Sequence, residues 1–313
     1  MILITGATGF VGKALVQRLL TDDVSRRLVV SVRRGGRRWP EQVLPILTGD
    51  LNLSTDWSIA LKGVDVVVHS AARVHVMWGT EADSLRAFRA VNVDGTLNLA
   101  RQAAVAAVKR FVFVSSVKVN GEDTQPGRAF TEADLPNPQD AYSQSKHEAE
   151  QGLRQLSSDT GMEVVTIRPP LVYGPGVKAN FSALMHAVQR SWPLPLGAIH
   201  NQRSLVSLDN LVDFIITCII HPQAANQTFL VSDGQDLSTT ELVSGIAQAA
   251  GLPARLLPVP VWALQAGALL LGKGEAMHRL CGNLQVDISK ARSLLGWVPP
   301  VSLEEGLRRT IAN

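Results

Sequence analysis

Tyr142 and Lys146 stand four residues apart in a helical run, and Ser115-Ser116 ends an apolar run upstream of them. Residues four apart share one face of a helix. An ammonium beside a phenol favours phenolate and lowers its pKa from about 10. Such a phenol can exchange a proton with a substrate hydroxyl or carbonyl near neutral pH. A serine hydroxyl at a strand end could bond the same oxygen, so Ser116, Tyr142 and Lys146 are the candidate catalytic residues. The only other tyrosine, Tyr173, lies in Val172-Tyr173-Gly174-Pro175-Gly176 and suits packing and a substrate loop equally.

A second chemical feature opens the chain. The apolar run at 2–5 breaks into Gly6-Ala7-Thr8-Gly9-Phe10-Val11-Gly12 and continues as a helical pattern over 11–20. Gly6 permits a tight turn, Gly9 lets backbone approach a pyrophosphate, and Gly12 allows close helix–strand packing. The helix N-terminus then offers N–H groups to phosphate. Gly6, Thr8, Gly9, Phe10, Val11 and Gly12 are therefore assigned to a dinucleotide. The spacing is Gly-x-x-Gly-x-x-Gly, which by itself also fits a packing turn.

These residues need a scaffold, and the patterning supplies one. Strand-like runs fall at 1–5, 28–32, 43–48, 64–70, 110–115 and 163–168, with helical patterns at 11–20, 81–105 and 141–156. Near-continuous apolar strands suit a parallel sheet covered on both faces. The fold class is thus α/β, a doubly wound parallel sheet whose ligands lie at the carboxyl ends of its strands. Beyond Pro169 the alternation degrades, with 205–220 and 227–231 returning to the sheet. We divide the chain into a dinucleotide-binding domain, 1–176 plus 205–238, and a smaller, discontinuous C-terminal substrate domain, 177–204 plus 239–313.

Composition narrows the function classes. With 313 residues, 46% hydrophobic and 18% charged, and a net charge of +3, the chain is an ordinary globular protein with no signature of nucleic-acid binding. Cys218 and Cys281 are expected to be buried free thiols, His69 and His75 are expected to be structural, and no spacing suggests a metal. With the first strand beginning at Ile2, no signal peptide is expected, and the location expected is cytoplasmic. Residues 256–272 are seventeen uncharged residues in a row. Pro258 and Pro260 leave about twelve helical residues, roughly 18 Å, against the ~30 Å of a bilayer core. A buried helix over 261–271 is the expectation, with peripheral membrane contact the alternative.

The chain resembles the extended short-chain dehydrogenases/reductases of the nucleotide-sugar epimerase/dehydratase type over nearly its full length. The motifs are Thr5-Gly6-Ala7-Thr8-Gly9-Phe10-Val11-Gly12, Gly49-Asp50-Leu51, His69-Ser70-Ala71-Ala72, Asn92-Val93-Asp94-Gly95-Thr96, Val114-Ser115-Ser116, Tyr142-Ser143-Gln144-Ser145-Lys146, Arg168-Pro169-Pro170, Arg203-Ser204-Leu205-Val206 and Leu295-Gly296-Trp297-Val298-Pro299. The resemblance implies a Rossmann-type sheet in which Asp50 and Leu51 meet adenine. Ala71, Ala72, Asn92, Ser115, Tyr142, Lys146 and Pro169 would line the rest of the cofactor. It implies a UDP-sugar substrate held by Lys118, Asn180, Leu196 and Arg203. For Arg203 a guanidinium–diphosphate contact is physically sound, and a salt bridge to Asp209 is the structural alternative. A homodimer is left open.

Two departures narrow the chemistry. Sugar dehydratases of this type carry Asp-Glu after the strand-end serine or threonine, where this chain has Val117 and Lys118, so dehydration is not expected. No carboxylate follows the second strand; Arg33 and Arg34 stand there, suited to the 2′-phosphate of NADP, or simply to solvent. NADP(H) is therefore favoured over NAD(H). Segments such as 73–77, 116–122, 176–181 and 193–197 resemble the bacterial surface-polysaccharide (O-antigen, lipopolysaccharide) branch. The expected activity is reduction of a UDP-2-acetamido-2,6-dideoxy-4-hexulose at C4. The alternative is a UDP-hexose 4-epimerase, and the weaker one a non-catalytic dinucleotide sensor, which would have no need of the serine, tyrosine and lysine.

Overall fold

The structure, a computed structural model, describes residues 1–22, 27–74, 80–270, 272 and 274–312. Strand β1 (Ile2–Thr5) leads through the glycine loop into α1 (Phe10–Asp22), followed by β2 (Leu28–Val32), β3 (Val43–Leu47) and β4 (Val66–His69). Next come α2 (Glu81–Phe88), α3 (Thr96–Val105), β5 (Arg110–Val114), α4 (Ala141–Thr160) and β6 (Glu163–Arg168). The remainder is β7 (Leu171–Tyr173), α5 (Ala179–Gln189), β8 (Arg203–Ser207), α6 (Leu208–Ile220), β9 (Thr228–Leu230), β10 (Asp236–Leu237), α7 (Thr239–Ala249), α8 (Val261–Leu270), α9 (Gly274–Cys281), α10 (Ser289–Leu295) and α11 (Leu303–Ile311).

Seven strands form one parallel sheet in the order β3-β2-β1-β4-β5-β6-β9. This is the doubly wound order, with its switch point between β1 and β4. Alternate β1 side chains feed opposite layers. Ile2 and Ile4 join a core with Leu15 and Leu19 of α1 and Leu211 and Ile215 of α6. Leu3 joins Leu99 and Ala103 of α3 and Ala149 and Leu153 of α4.

All six strands read from the sequence form. The helical run at 81–105 is interrupted: α2 and α3 are joined by a π-helical stretch, Arg89–Gly95. The run at 205–220 also divides. Strand β8 leaves the large sheet and lies between β7 and β10, while α6 packs against the large core. Residues 284–297, allotted by sequence to the smaller domain, pack into that core too, where Trp297 meets Phe214 edge-on at 4.7 Å. A separate cluster unites Tyr173, Phe181, Leu196, Ile246 and Leu307. Tyr173 is fully buried there, stacked on Phe181 and donating to Asp233 Oδ2 at 2.7 Å, so packing is its role.

Helix α8 departs from the buried helix expected of it. Only Ala268 is buried; Val261 and Leu264 lean on the smaller core, and the opposite side faces out. Leu271 and His75 lie outside the described residues. Among those described, no helix is long and apolar enough to cross a membrane.

Candidate active site

The glycine loop is built for close approach. Gly6 sits at φ +71°, and a Cβ there would come within 2.7 Å of Ala71 N. A Cβ on Gly12 would come within 2.3 Å of Gly6 O, so the start of α1 can lie against the loop only with glycine at that position. The loop opens on a cavity of about 640 Å³ lined by Thr8, Gly9, Phe10, Lys13, Gly176, Lys178 and Asp209, the last paired to Arg309 at 2.7 Å. A helix N-terminus, bare backbone and two lysines fit the pyrophosphate of a dinucleotide.

Helix α4 carries the candidate pair, Tyr142 and Lys146. Asp140 caps it, accepting from Ser143 N at 2.6 Å while Ser143 Oγ accepts from Asp140 N, a reciprocal capping box. Lys146 is buried, and its Nζ donates to Val114 O at 2.8 Å and lies 4.4 Å from the Phe113 ring centroid. That bond fixes α4 against the carboxyl end of β5, immediately before Ser115 and Ser116. Burial pulls the Lys146 ammonium down to about 7, with the Glu150 carboxylate acting the other way.

Tyr142 packs edge-on to Phe88 at 5.9 Å. Its phenol is pushed up to about 12 by burial and by Asp140. This corrects the sequence expectation of a lowered phenol pKa. Burial works against both the phenolate and the ammonium, and Lys146 spends its hydrogen bond on a backbone carbonyl.

The two serines part company. Ser115 is buried and donates to Glu150 Oε1 at 2.5 Å. Ser116 Oγ accepts from Lys118 N at 3.2 Å, which leaves its proton for another acceptor. Glu150 also binds Arg168 through both oxygens, at 3.0 Å from Nε and 2.5 Å from Nη2, and Arg168 Nη1 donates to Asn120. This fully buried network was missed at the level of sequence. Its legible trace is the Tyr142, Lys146, Glu150 spacing on one face of α4.

Other predicted residues fall as follows. Asn92, in the π-helical stretch, exchanges bonds with the Arg73 backbone and donates to Ser145 Oγ, so its side chain ties the loop after β4 to α4. Ala71 N points at Thr5 Oγ1, 3.3 Å away, and Pro169 O accepts from Val117 N at 3.0 Å. Arg33 and Asp50 are both exposed and 3.9 Å apart, and Leu51 packs on Gly95; Arg34 is exposed. His69 is buried between Thr5 and Thr96, and burial lowers it to about 3. Both cysteines are free: Cys218 is buried, Cys281 only half-buried.

Asn180, Leu196 and Arg203 line one cavity of about 410 Å³, together with Phe181 and with Arg279 and Leu280 of α9, which sequence reasoning did not single out. The salt-bridge alternative for Arg203 fails. Asp209 pairs with Arg309 at 2.7 Å, and Arg203 Nη1 donates to Gly282 O at 3.0 Å. Lys118 is not in that cavity. Its Nζ lies 2.6 Å from both Glu122 Oε1 and Asp140 Oδ2, so it is occupied by protein carboxylates rather than directed at the substrate cavity.

The NAD dependent epimerase/dehydratase family matches residues 2–232. A Vibrio cholerae protein named UDP-glucose 4-epimerase is 52% identical over 310 residues, 99% of this chain and 94% of its own. Among solved structures, MoeE5 in complex with UDP-glucose and NAD is 26% identical, with a TM-score of 0.78 over 99% of this chain and 97% of that one. The UDP-glucuronic acid 4-epimerase of Bacillus cereus in complex with NAD shares the fold at 22% identity, TM-score 0.78, over 99% and 97% of the two chains. With the glycine loop, the doubly wound sheet and the Tyr142–Lys146 helix on one scaffold, the chain is an enzyme of the NAD-dependent epimerase/dehydratase family.

Proposed function

We propose that the enzyme moves a hydride at C4 of a UDP-linked sugar and acts as a reductase of a UDP-2-acetamido-2,6-dideoxy-4-hexulose. The observation that carries this reading is the Lys146–Val114 bond, which holds the Tyr142 face of α4 at the carboxyl end of β5, where Ser116 follows. Ser116 orients the C4 oxygen through its unspent proton, and Tyr142 gives that oxygen its proton. A phenol raised by burial and by Asp140 keeps its proton across the physiological range and so has one to give. A bound nicotinamide dinucleotide supplies the hydride.

Val117 cannot carry a proton, and Lys118 is paired to two carboxylates, so neither serves the elimination of water. Asn180 and Arg203 would hold the diphosphate in the 410 Å³ cavity, whose apolar lining suits the uracil ring. Arg33 and Arg34 at the end of β2 support NADP(H), although Asp50 lies near enough to Arg33 to offset part of its charge.

UDP-hexose 4-epimerase is the second reading, favoured by the name of the 52%-identical relative. Incubating the purified protein with NADPH and the 4-keto sugar nucleotide should consume cofactor and yield the 4-hydroxy sugar. Tightly retained NAD and interconversion of UDP-glucose and UDP-galactose without net cofactor use would replace the reductase by the epimerase.

A further inference from the structure

Helix α8, Val261-Trp-Ala-Leu-Gln-Ala-Gly-Ala-Leu-Leu270, contains no charge. On its inward side Val261 and Leu264 pack on the smaller core and Ala268 is buried. Its outward stripe is also apolar: Trp262 is 73% exposed, Leu269 77% and Leu270 88%, with Gln265 as the one polar side chain among them. A surface helix of a soluble protein ordinarily turns charge to water. Three large apolar side chains standing out of one helix mark a surface meant to be covered.

A second exposed tryptophan stands on the loop that pairs with the segment leading into this helix. Trp192, 55% exposed, has the Arg190 guanidinium 5.6 Å from its ring centroid. Two residues on, Leu194 exchanges backbone bonds with 255–257, the segment that leads into α8. Arg255 in that segment is exposed.

Charge decides what covers the face. Residues 164–208 and 242–274, which supply α5, the Trp192 loop, α8 and the segment between α7 and α8, contain no Asp or Glu. Among the described residues, their exposed cations are Lys178, Arg190 and Arg255. A second copy seated through this face would bring like charges together. An anionic lipid surface offers the complement to cations, apolar depth for leucines and an interface for tryptophans.

We infer that the outer face of α8, with Trp192, Arg190 and Arg255, docks the enzyme on the surface of a membrane containing anionic phospholipid. Trp262, Leu269 and Leu270 enter the headgroup–acyl boundary and the arginines meet lipid phosphates. At ten residues, about 15 Å long, α8 lies in the interface and cannot span it. Helix α8 packs on α9, whose Arg279 and Leu280 line the 410 Å³ cavity, so docking brings that cavity near the membrane surface. This inference does not depend on which sugar the cavity holds.

The test is co-sedimentation of the full chain with vesicles of phosphatidylcholine alone or with phosphatidylglycerol added, alongside light scattering of the lipid-free protein. Wild type should pellet with the anionic vesicles and less as salt rises. Leu269→Glu and Trp262→Glu should each weaken that binding about tenfold or more, Trp262→Phe should largely keep it, and all three should bind the dinucleotide as wild type does. Vesicle binding unchanged by both glutamate variants overturns the inference. So does absence of binding to either vesicle, and a wild-type dimer that these variants dissociate would then give the face to a second copy.

Discussion

Lys118 Nζ lies 2.6 Å from Asp140 Oδ2, and this contact joins the turn that follows Ser116 to the cap of the helix that carries Tyr142. Lys118 is two residues beyond the serine, and Asp140 two residues before the tyrosine. One ion pair therefore ties the turn after Ser116 to the start of the helix that carries Tyr142. It also opposes the carboxylate that raises the Tyr142 phenol.

Removing Lys118 should leave Asp140 unopposed and drive the Tyr142 pKa higher. In Lys118→Met we expect a phenol that titrates higher than in wild type and turnover reduced several-fold. Lys118→Arg should restore both. Tyrosinate absorbance on an alkaline titration, referenced to Tyr142→Phe, reads the shift; a Tyr142 pKa equal to wild type in Lys118→Met would separate the ion pair from the phenol.

Tyr142→Phe removes one hydroxyl and no packing. Turnover should fall by about two orders of magnitude or more, the usual worth of positioned proton transfer, while dinucleotide and UDP-sugar binding persist. Calorimetric titration together with steady-state rates checks both halves. Near-normal turnover would exclude the phenol as the proton donor.

Arg203→Ala should weaken UDP-sugar binding by roughly ten- to a hundred-fold, the worth of a charge-assisted contact of ~1.5–3 kcal/mol, and leave the dinucleotide affinity alone. Arg33→Ala should remove most of any preference for NADPH over NADH. Competitive titration of wild type with the two cofactors measures that preference first, and equal affinities there would rank the epimerase reading above the reductase.

Lys146 gives a pH signature of stability. Its amine titrates at about 7 in the fold and near 10.5 when unfolded. Between those values the unfolded chain binds the extra proton, so this group makes stability rise with pH across the window. Lys146→Met should flatten the rise between pH 7 and 9 in denaturant titrations of the dinucleotide-free protein. A parallel pH dependence in variant and wild type would mean that the amine is not depressed.

Breaking the buried Glu150–Arg168 pair from one side leaves an uncompensated charge, at a cost of about 3–5 kcal/mol. Arg168→Met should therefore lower stability by that order in urea unfolding, whereas Glu150→Met with Arg168→Met should recover much of it.

The elements that position the site were legible because their signals are local. The glycine loop, the six apolar strands and the Tyr142–Lys146 helix each announce themselves within about ten residues. What escaped depends on neighbours distant in sequence. Glu150 meets Arg168 only because β6 lies beside β5 under α4. Lys118 has the right chemistry for a sugar diphosphate, and only the fold reveals that Asp140, 22 residues on, occupies it. The phenol pKa was misjudged because spacing reports which groups share a face and says nothing about how far water is excluded. Helix α8 misled in the same way: an apolar run reads as buried, and nothing in its pattern distinguishes a core from an uncovered side.

The π-helical stretch at Arg89–Gly95 works as a phase adjuster. Its wider turns change the azimuth between α2 and α3, so that Leu99, Ala100 and Ala103 meet the sheet while Asn92 still faces Ser145. Deleting one residue from this stretch would return the rod to ordinary pitch and rotate everything beyond it by about 100°. Either the apolar stripe of α3 or the polar brace on α4 would then lose its partner. The chain is in this sense indexed to single-residue accuracy beside the helix that carries Tyr142, and length changes there should be tolerated far less than substitutions.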